Sequence, residues 1–228
     1  MKSARLANTA ALLATILVLP LASVAHAQLT LDDFSTGLYK KQLSSGHDTN
    51  TQAGTMIGGN RLTVFSVCQT NPCGASNPFA QSASFQVRQK TKLTPSALIF
   101  SSGYKVAPRL DVEYGSTGPL NLNLGSNYDR IRVNFDGSDL FVNFNILVFT
   151  GTSYSQTGCN LAASTNPVSI DFPFAYFTKG ADFTNISSID FIFQSSSAIG
   201  ANDWAVTSFQ AIPTGDPPAQ ITCYGLGT

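Results

Sequence analysis

Three observations predict an all-β, antiparallel sandwich for this 228-residue chain. Apolar and polar residues alternate with a period of two over many short segments. Gly, Asn, Ser and Pro clusters separate those segments. No window carries a convincing helical period, and the best one, residues 44–55, is polar and holds Gly46 and Gly54. Many short strands without alternating helices pack as two antiparallel layers.

Residues 1–27 are set apart first. Lys2 and Arg5 form a positive end, Ala10 to Leu19 an apolar middle, and Ala25-His26-Ala27 a small-residue cleavage site, the three parts of a secretory signal. Pro20 and the Ala-His-Ala site favour cleavage before Gln28 over a retained anchor. No later apolar stretch has spanning length. The expected product is a secreted or periplasmic protein with no membrane insertion after cleavage. Its body is one sandwich domain, 28–212, followed by a tail, 213–228, that opens on the rigid turn Thr214-Gly215-Asp216-Pro217-Pro218.

Within the body, the predicted strands are 29–34, 61–67, 84–89, 97–101, 109–114, 120–124, 131–135, 141–149, 168–174, 188–193 and 204–212. Leu120, Leu122 and Leu124 alternate with Asn121 and Asn123. Ile131, Val133 and Phe135 alternate with Arg130, Arg132 and Asn134. The 141–149 run begins as alternation and turns continuous, as a central strand covered on both faces does.

Charge excludes several function classes. Without the signal the chain keeps eleven basic and thirteen acidic side chains, a net balance that leaves no electrostatic footprint for nucleic acid or an anionic membrane. Glu113 is the only glutamate, and His47 is the only histidine outside the signal, so chemistry built on several histidines is excluded. No Gly-x-Ser-x-Gly elbow presents a serine. Gly58-Gly59 lacks the Lys-Ser/Thr of a phosphate loop. The four cysteines suit an oxidising compartment as two disulfides; of three pairings, Cys68–Cys73 and Cys159–Cys223 are preferred. A zinc site would want a second close cysteine pair.

Three segments resemble a group of exported bacterial sandwich proteins, the galactose-binding-like jelly rolls found among PEP-CTERM-type sorting-signal proteins. They are Leu31-Asp32-Asp33-Phe34-Ser35-Thr36-Gly37, Gly54-Thr55-Met56-Ile57-Gly58-Gly59-Asn60-Arg61, and Asp182-Phe183-Thr184-Asn185-Ile186-Ser187-Ser188-Ile189-Asp190. The C-terminal sorting signal of that group is absent here. The resemblance implies a jelly-roll sandwich and a structural calcium that clamps the first and last strands, with Asp32, Asp33 and Asp203 as ligands. Where related sugar-binding members carry an Asp on the closing strand, this chain has Thr207 before Ser208-Phe209.

The expected function is a non-catalytic binding or matrix module for an extracellular polysaccharide. Alternatives are a polysaccharide-degrading enzyme, lyase or hydrolase, and a structural envelope protein without ligand. Sugar rings stack on exposed aromatic faces while polar neighbours fix their hydroxyls. Asn127, Tyr128, Asp129 and Arg130 combine an aromatic, an amide and two charges, and Trp204 is the only tryptophan; these five are the predicted ligand residues. Asp136 and Asp139 read as turn residues that bond their own backbone.

Overall fold

Period-two alternation translates directly into burial. Along Ala83–Arg88 every second side chain (Ala83, Phe85, Val87) is buried, while Ser84, Gln86 and Arg88 stay partly exposed. The computed structural model describes residues 27–68, 82–104, 106–195 and 201–223. Its strands are β1 Leu29–Asp32, β2 Tyr39–Leu43, β3 Gly46–Ala53, β4 Asn60–Cys68, β5 Ala83–Arg88, β6 Ala97–Ser102 and β7 Ala107–Tyr114. They continue as β8 Tyr128–Ser138, β9 Val142–Thr150, β10 Ser153–Leu161, β11 Val168–Pro173, β12 Ser188–Gln194, β13 Asn202–Pro213 and β14 Ile221–Thr222. The only helical turns among the described residues are two 3-10 turns, at Ile57–Gly59 and Phe174–Tyr176.

The strands form two sheets of jelly-roll type. One runs β14-β11-β8-β13-β6-β5-β2, with β1 also paired to β13. The other runs β10-β9-β12-β7-β4-β3. Every pairing is antiparallel except β11 with β14. Strand β13 is long enough to serve two partners on one edge. Its first half pairs with β6 at Asn202–Val206, and its second half takes β1 at Phe209–Ala211.

Aromatic rings fill the space between the sheets. Phe209 on β13 stacks on Phe191 of β12 with centroids 3.8 Å apart. Phe144, Phe193, Phe135 and Phe172 extend the same cluster through edge and tilted contacts, geometries that add to the burial itself.

One charged pair sits inside this core. Asp32 and Arg61 are 2% and 0% exposed, and Arg61 Nη1 donates to Asp32 Oδ2 at 2.5 Å. The Tyr114 hydroxyl donates to the same oxygen at 2.7 Å, and the Phe34 N–H donates to Oδ1 at 2.7 Å. Arg61 also donates to Gln52 Oε1 and to the Thr36 and Gly37 carbonyls. Phe34, at φ +56°, places its ring beneath the guanidinium, 5.3 Å from centroid to Cζ. With every guanidinium nitrogen hydrogen-bonded, the pair ties β1 of one sheet to β4 and β7 of the other.

The segment after Pro213 is clamped rather than loose. Asp171 on β11 takes both Arg132 Nε and Nη2, at 2.7 and 2.9 Å, and accepts the Ala219 N–H at 2.7 Å. Arg130 and Arg132 hold the carbonyls of Asp216 and Pro217. The Cys159–Cys223 disulfide, Cα–Cα 5.7 Å, then joins the β10 edge of one sheet to the β14 edge of the other. The expected Cys68–Cys73 bridge and the signal segment 1–26 lie outside the described residues.

The free edge of β10 is covered too. Thr178 N–H donates to the Gln156 carbonyl at 2.9 Å, and Ala181 N–H donates to Ser155 Oγ at 2.8 Å. Gly180 allows this approach, since a Cβ there would collide with the Tyr154 carbonyl oxygen. Covering an edge removes a template for unwanted strand pairing.

Candidate functional site

Side-chain parity decides which residues face away from the core. On β7, Leu110, Val112 and Tyr114 are fully buried, so Arg109, Asp111 and Glu113 point outward from the six-stranded sheet. On β12 the same logic turns Asp190, Ile192 and Gln194 outward, and on β9 it turns out Asn143, Asn145, Leu147 and Phe149.

Register then aligns these side chains into rows. Glu113 lies opposite Asp190, and Asp190 lies opposite Leu147. One step along, Asp111 lies opposite Ile192, and Ile192 opposite Asn145. The next row is Arg109, Gln194, Asn143 and Asn160. Directly opposed residues hold their Cβ atoms about 5 Å apart, so three carboxylates, one guanidinium and a set of amides share one patch. At its end the ring of Tyr154 on β10, 49% exposed, tilts against Phe149 with centroids 5.7 Å apart.

The electrostatics of the patch are unusual. Burial raises the Asp190 carboxyl to about 7, helped by the negative charges of Asp111 and Glu113 and opposed by Arg109. Glu113 is also raised, by burial first and by Asp111 second. Asp111 is occupied by Arg109, whose Nε donates to its two oxygens at 2.7 and 3.0 Å. Asp190 has no such support, and its Oδ1 is buried without a hydrogen-bond partner. Beside it the amides form a chain. Asn145 Nδ2 donates to Asn143 Oδ1 at 2.9 Å, and Asn143 Nδ2 donates to Asn160 Oδ1 at 2.8 Å. Near neutral pH such a surface offers a carboxyl that can donate or accept, carboxylate acceptors, amides of both kinds and one ring face. These are the groups that hold hydroxyl-rich molecules.

The opposite face, on the eight-stranded sheet, carries two adjoining depressions of about 360 Å³ each that share Ser101 and Asp203. Serine hydroxyls and Gln42 dominate one of them, whereas Ile99, Phe100, Trp204 and Ala205 make the other mostly apolar, and no exposed ring lines either.

Of the predicted ligand residues, Trp204 adjoins the more apolar of these depressions, and Asn127, Tyr128, Asp129 and Arg130 lie away from both. Trp204 is 3% exposed, sandwiched between Phe100 at 4.8 Å and Phe193 at 4.4 Å, so it is a core ring with no free face for a sugar. Asn127 is exposed, and its carbonyl accepts the Thr214 N–H. Tyr128 packs partly against the core. Asp129 pairs with Arg130, which is buried and holds the tail as described above. The cluster Asn127, Tyr128, Asp129 and Arg130 is thus a tail clamp.

Nor do Asp32, Asp33 and Asp203 converge on a calcium ion. Asp32 is neutralised by Arg61, which stands where a metal charge was expected. Asp33 accepts from the N–H and hydroxyl of Ser35 in a local turn. Asp203 is the second residue of β13, six residues before Phe209, the register partner of Asp32, a separation of about 20 Å along the strand. Among the described residues, no three His, Cys, Asp or Glu side chains group as metal ligands.

Sequence reasoning missed Asp111, Glu113 and Asp190. Arg109-Leu110-Asp111-Val112-Glu113-Tyr114 puts three charges on one strand face, and Asp190 is the single charge in an otherwise apolar strand. Those two signals were present. Their meeting was not, because it depends on β7 pairing with β12 across more than seventy residues of chain.

No protein-family model and no curated protein matches this chain. Several solved structures align with it at low identity. A family 11 carbohydrate-binding module from Clostridium thermocellum, solved with a β-1,3-1,4-mixed-linked tetrasaccharide, is 13% identical over 84% of this chain and 98% of its own, with a TM-score of 0.40. An agarase is 13% identical over 84% of this chain and 26% of its own, with a TM-score of 0.46. A family 61 carbohydrate-binding module bound to β-1,4-galactotriose is 10% identical over 72% and 88%, with a TM-score of 0.32.

Proposed function

We propose that this chain is an exported, non-catalytic module that binds a neutral polysaccharide on the outer face of its six-stranded sheet. The observation that carries the proposal is Asp190, a desolvated carboxyl on an outward face with one oxygen left without a protein partner. A buried polar group without a partner is costly, and such groups persist where a ligand completes them. Glu113 in the same row, and Asn145 and Asn143 in the next two rows, add hydroxyl partners, and Tyr154 supplies the ring face at the end of the patch. The carboxylates favour a neutral sugar, since a uronate would meet like charge.

Export is supported by the signal-like segment 1–27 and by the Cys159–Cys223 bridge, which suits an oxidising compartment. No helix among the described residues is long and apolar enough to cross a membrane.

Affinity electrophoresis against a panel of neutral β-linked polysaccharides tests the proposal. Retention is expected with at least one of them. Glu113→Gln should weaken it roughly tenfold, the scale of one hydrogen bond to a charged group, and Tyr154→Ala roughly fivefold, the scale of one ring contact. Ser101→Ala, on the opposite sheet, should leave retention unchanged. Silence across the panel would point to a structural envelope protein. New reducing ends from a retained polymer would instead make Glu113 and Asp190 an acid–base pair, the arrangement glycoside hydrolysis uses.

A further inference from the structure

The β5–β6 hairpin concentrates charge of one sign. From Asp48 to Asp111 the sequence contains no carboxylate between those two residues, yet it places Arg88, Lys90 and Lys92 within five residues of one another. Across β2 the neighbouring Lys40 pairs with Gln86, two residues before Arg88. None of Lys40, Arg88, Lys90 and Lys92 has an ion-pair partner among the described residues, whereas Lys41, Arg61, Arg109, Arg130 and Arg132 all do.

An apolar side chain stands at the tip of this basic hairpin. Leu93 is 93% exposed, the most exposed large hydrophobic side chain among the described residues. Its position is built. The Thr91 N–H donates to the Thr94 carbonyl at 2.9 Å, and Thr91 Oγ1 accepts the N–H groups of Leu93 and Thr94 at 3.2 and 3.1 Å. The turn is therefore closed on itself, with Leu93 aimed away from the protein between Lys92 and Thr94. Beside the turn end of the hairpin Leu38, 53% exposed, precedes Tyr39, whose register partner is Val87.

We propose that this hairpin is a membrane-surface anchor, in which Leu93 enters the headgroup boundary of an anionic lipid layer while Lys90, Lys92, Arg88 and Lys40 meet the phosphates. Charge complementarity selects an anionic partner. The aliphatic tip selects lipid over an acidic polysaccharide, because a sugar polymer offers no hydrocarbon in which to bury a leucine, whereas basic residues around an apolar wedge match the interface of a bilayer. The hairpin belongs to the eight-stranded sheet and the glycan patch to the six-stranded one, so the anchor stands independently of the polysaccharide proposal. Both surfaces can be engaged together.

Vesicle co-sedimentation of the form beginning at Gln28, which contains every strand, tests the anchor. The parent should sediment with phosphatidylcholine vesicles containing phosphatidylglycerol and stay in solution with phosphatidylcholine alone. Lys90→Gln combined with Lys92→Gln should lower partitioning roughly twenty-five-fold, about fivefold per charge near an anionic surface. Leu93→Ser should lower it roughly tenfold from lost apolar burial. Leu93→Trp should show a blue-shifted emission only with the anionic vesicles. Binding should vanish as ionic strength rises towards about 1 M, where the screening length falls to about 3 Å. Glu113→Gln should bind vesicles as the parent does. Equal partitioning onto both vesicle types would overturn the proposal. So would binding that Leu93→Ser leaves intact and a soluble polyuronate displaces, which would assign the hairpin to an acidic glycan.

Discussion

Replacing Asp190 with asparagine should stabilise the fold at neutral and alkaline pH, although it removes a charge from the proposed binding face. Burial, together with the charges of Asp111 and Glu113, raises this carboxyl from 3.8 to about 7. The folded state therefore holds the proton more tightly than the unfolded chain. Its contribution to stability is fully present below about pH 4 and is lost as pH climbs through 7. Roughly three units at 1.36 kcal/mol each set an upper figure of about 4 kcal/mol. Because Glu113, itself raised, titrates beside it, the expected loss is about 2–4 kcal/mol. Asparagine keeps the shape and never ionises. Urea unfolding of the parent and Asp190→Asn should give nearly equal midpoints at pH 4. By pH 8 the variant should be more stable by about 2–4 kcal/mol, with an unchanged denaturant slope. Subtracting one protein from the other cancels carboxylates such as Asp48 and Asp182, which are lowered by their hydrogen bonds and act in the opposite sense. A variant no more stable than the parent at pH 8 would refute the desolvated carboxyl.

Three further outcomes follow from the frame. Arg61→Met should cost about 3–5 kcal/mol, because it strands Asp32 inside the core; chemical denaturation showing a loss below about 1 kcal/mol would remove the network from the account. Cys159→Ser with Cys223→Ser opens a covalent loop spanning 64 positions, and calorimetry should record a loss of about 4 kcal/mol. Tyr39 is pushed up to about 12 by its hydrogen bond to Asp48 and by burial, and Tyr114 is raised further by deep burial beside Asp32. Both therefore stabilise the fold below pH 10 and lose that contribution as pH rises through their folded values. Alkaline absorbance titration should show Tyr39 ionising near 12 and Tyr114 only on unfolding.

Alternation was a faithful guide where a strand has one wet face and one dry face, as in β5 and β7. It failed at the edges. Strands β2, β3 and β10 read Tyr-Lys-Lys-Gln-Leu, Gly-His-Asp-Thr-Asn-Thr-Gln-Ala and Ser-Tyr-Ser-Gln-Thr-Gly-Cys-Asn-Leu, too polar for a buried face to declare itself. Residues 44–55, weighed as the best helical window, are mostly β3. The converse error came at 120–124. Its leucines do pack on the core, but Asn121 takes φ +50° and only Leu122 bridges, to Ile186. Alternation there marked burial, not strand pairing.

The candidate site was harder to read for a related reason. Single residues advertise their chemistry, and Trp204, Asp32 and Arg130 were conspicuous on that basis. Each turned out to be consumed by the frame: Trp204 by ring packing, Asp32 by Arg61, Arg130 by the tail. The outward patch is made of unremarkable residues on β7, β9 and β12. Their grouping exists only in the strand order, which local sequence does not carry.

The most direct test of the glycan surface is an amide chemical-shift titration with a neutral oligosaccharide from any polymer the protein retains. Shifts should cluster at Asp111, Glu113, Asn145, Tyr154 and Asp190 on the six-stranded sheet. Shifts confined to Ser84, Ser101 and Asp203 on the other sheet would place the sugar on the wrong face and contradict the account.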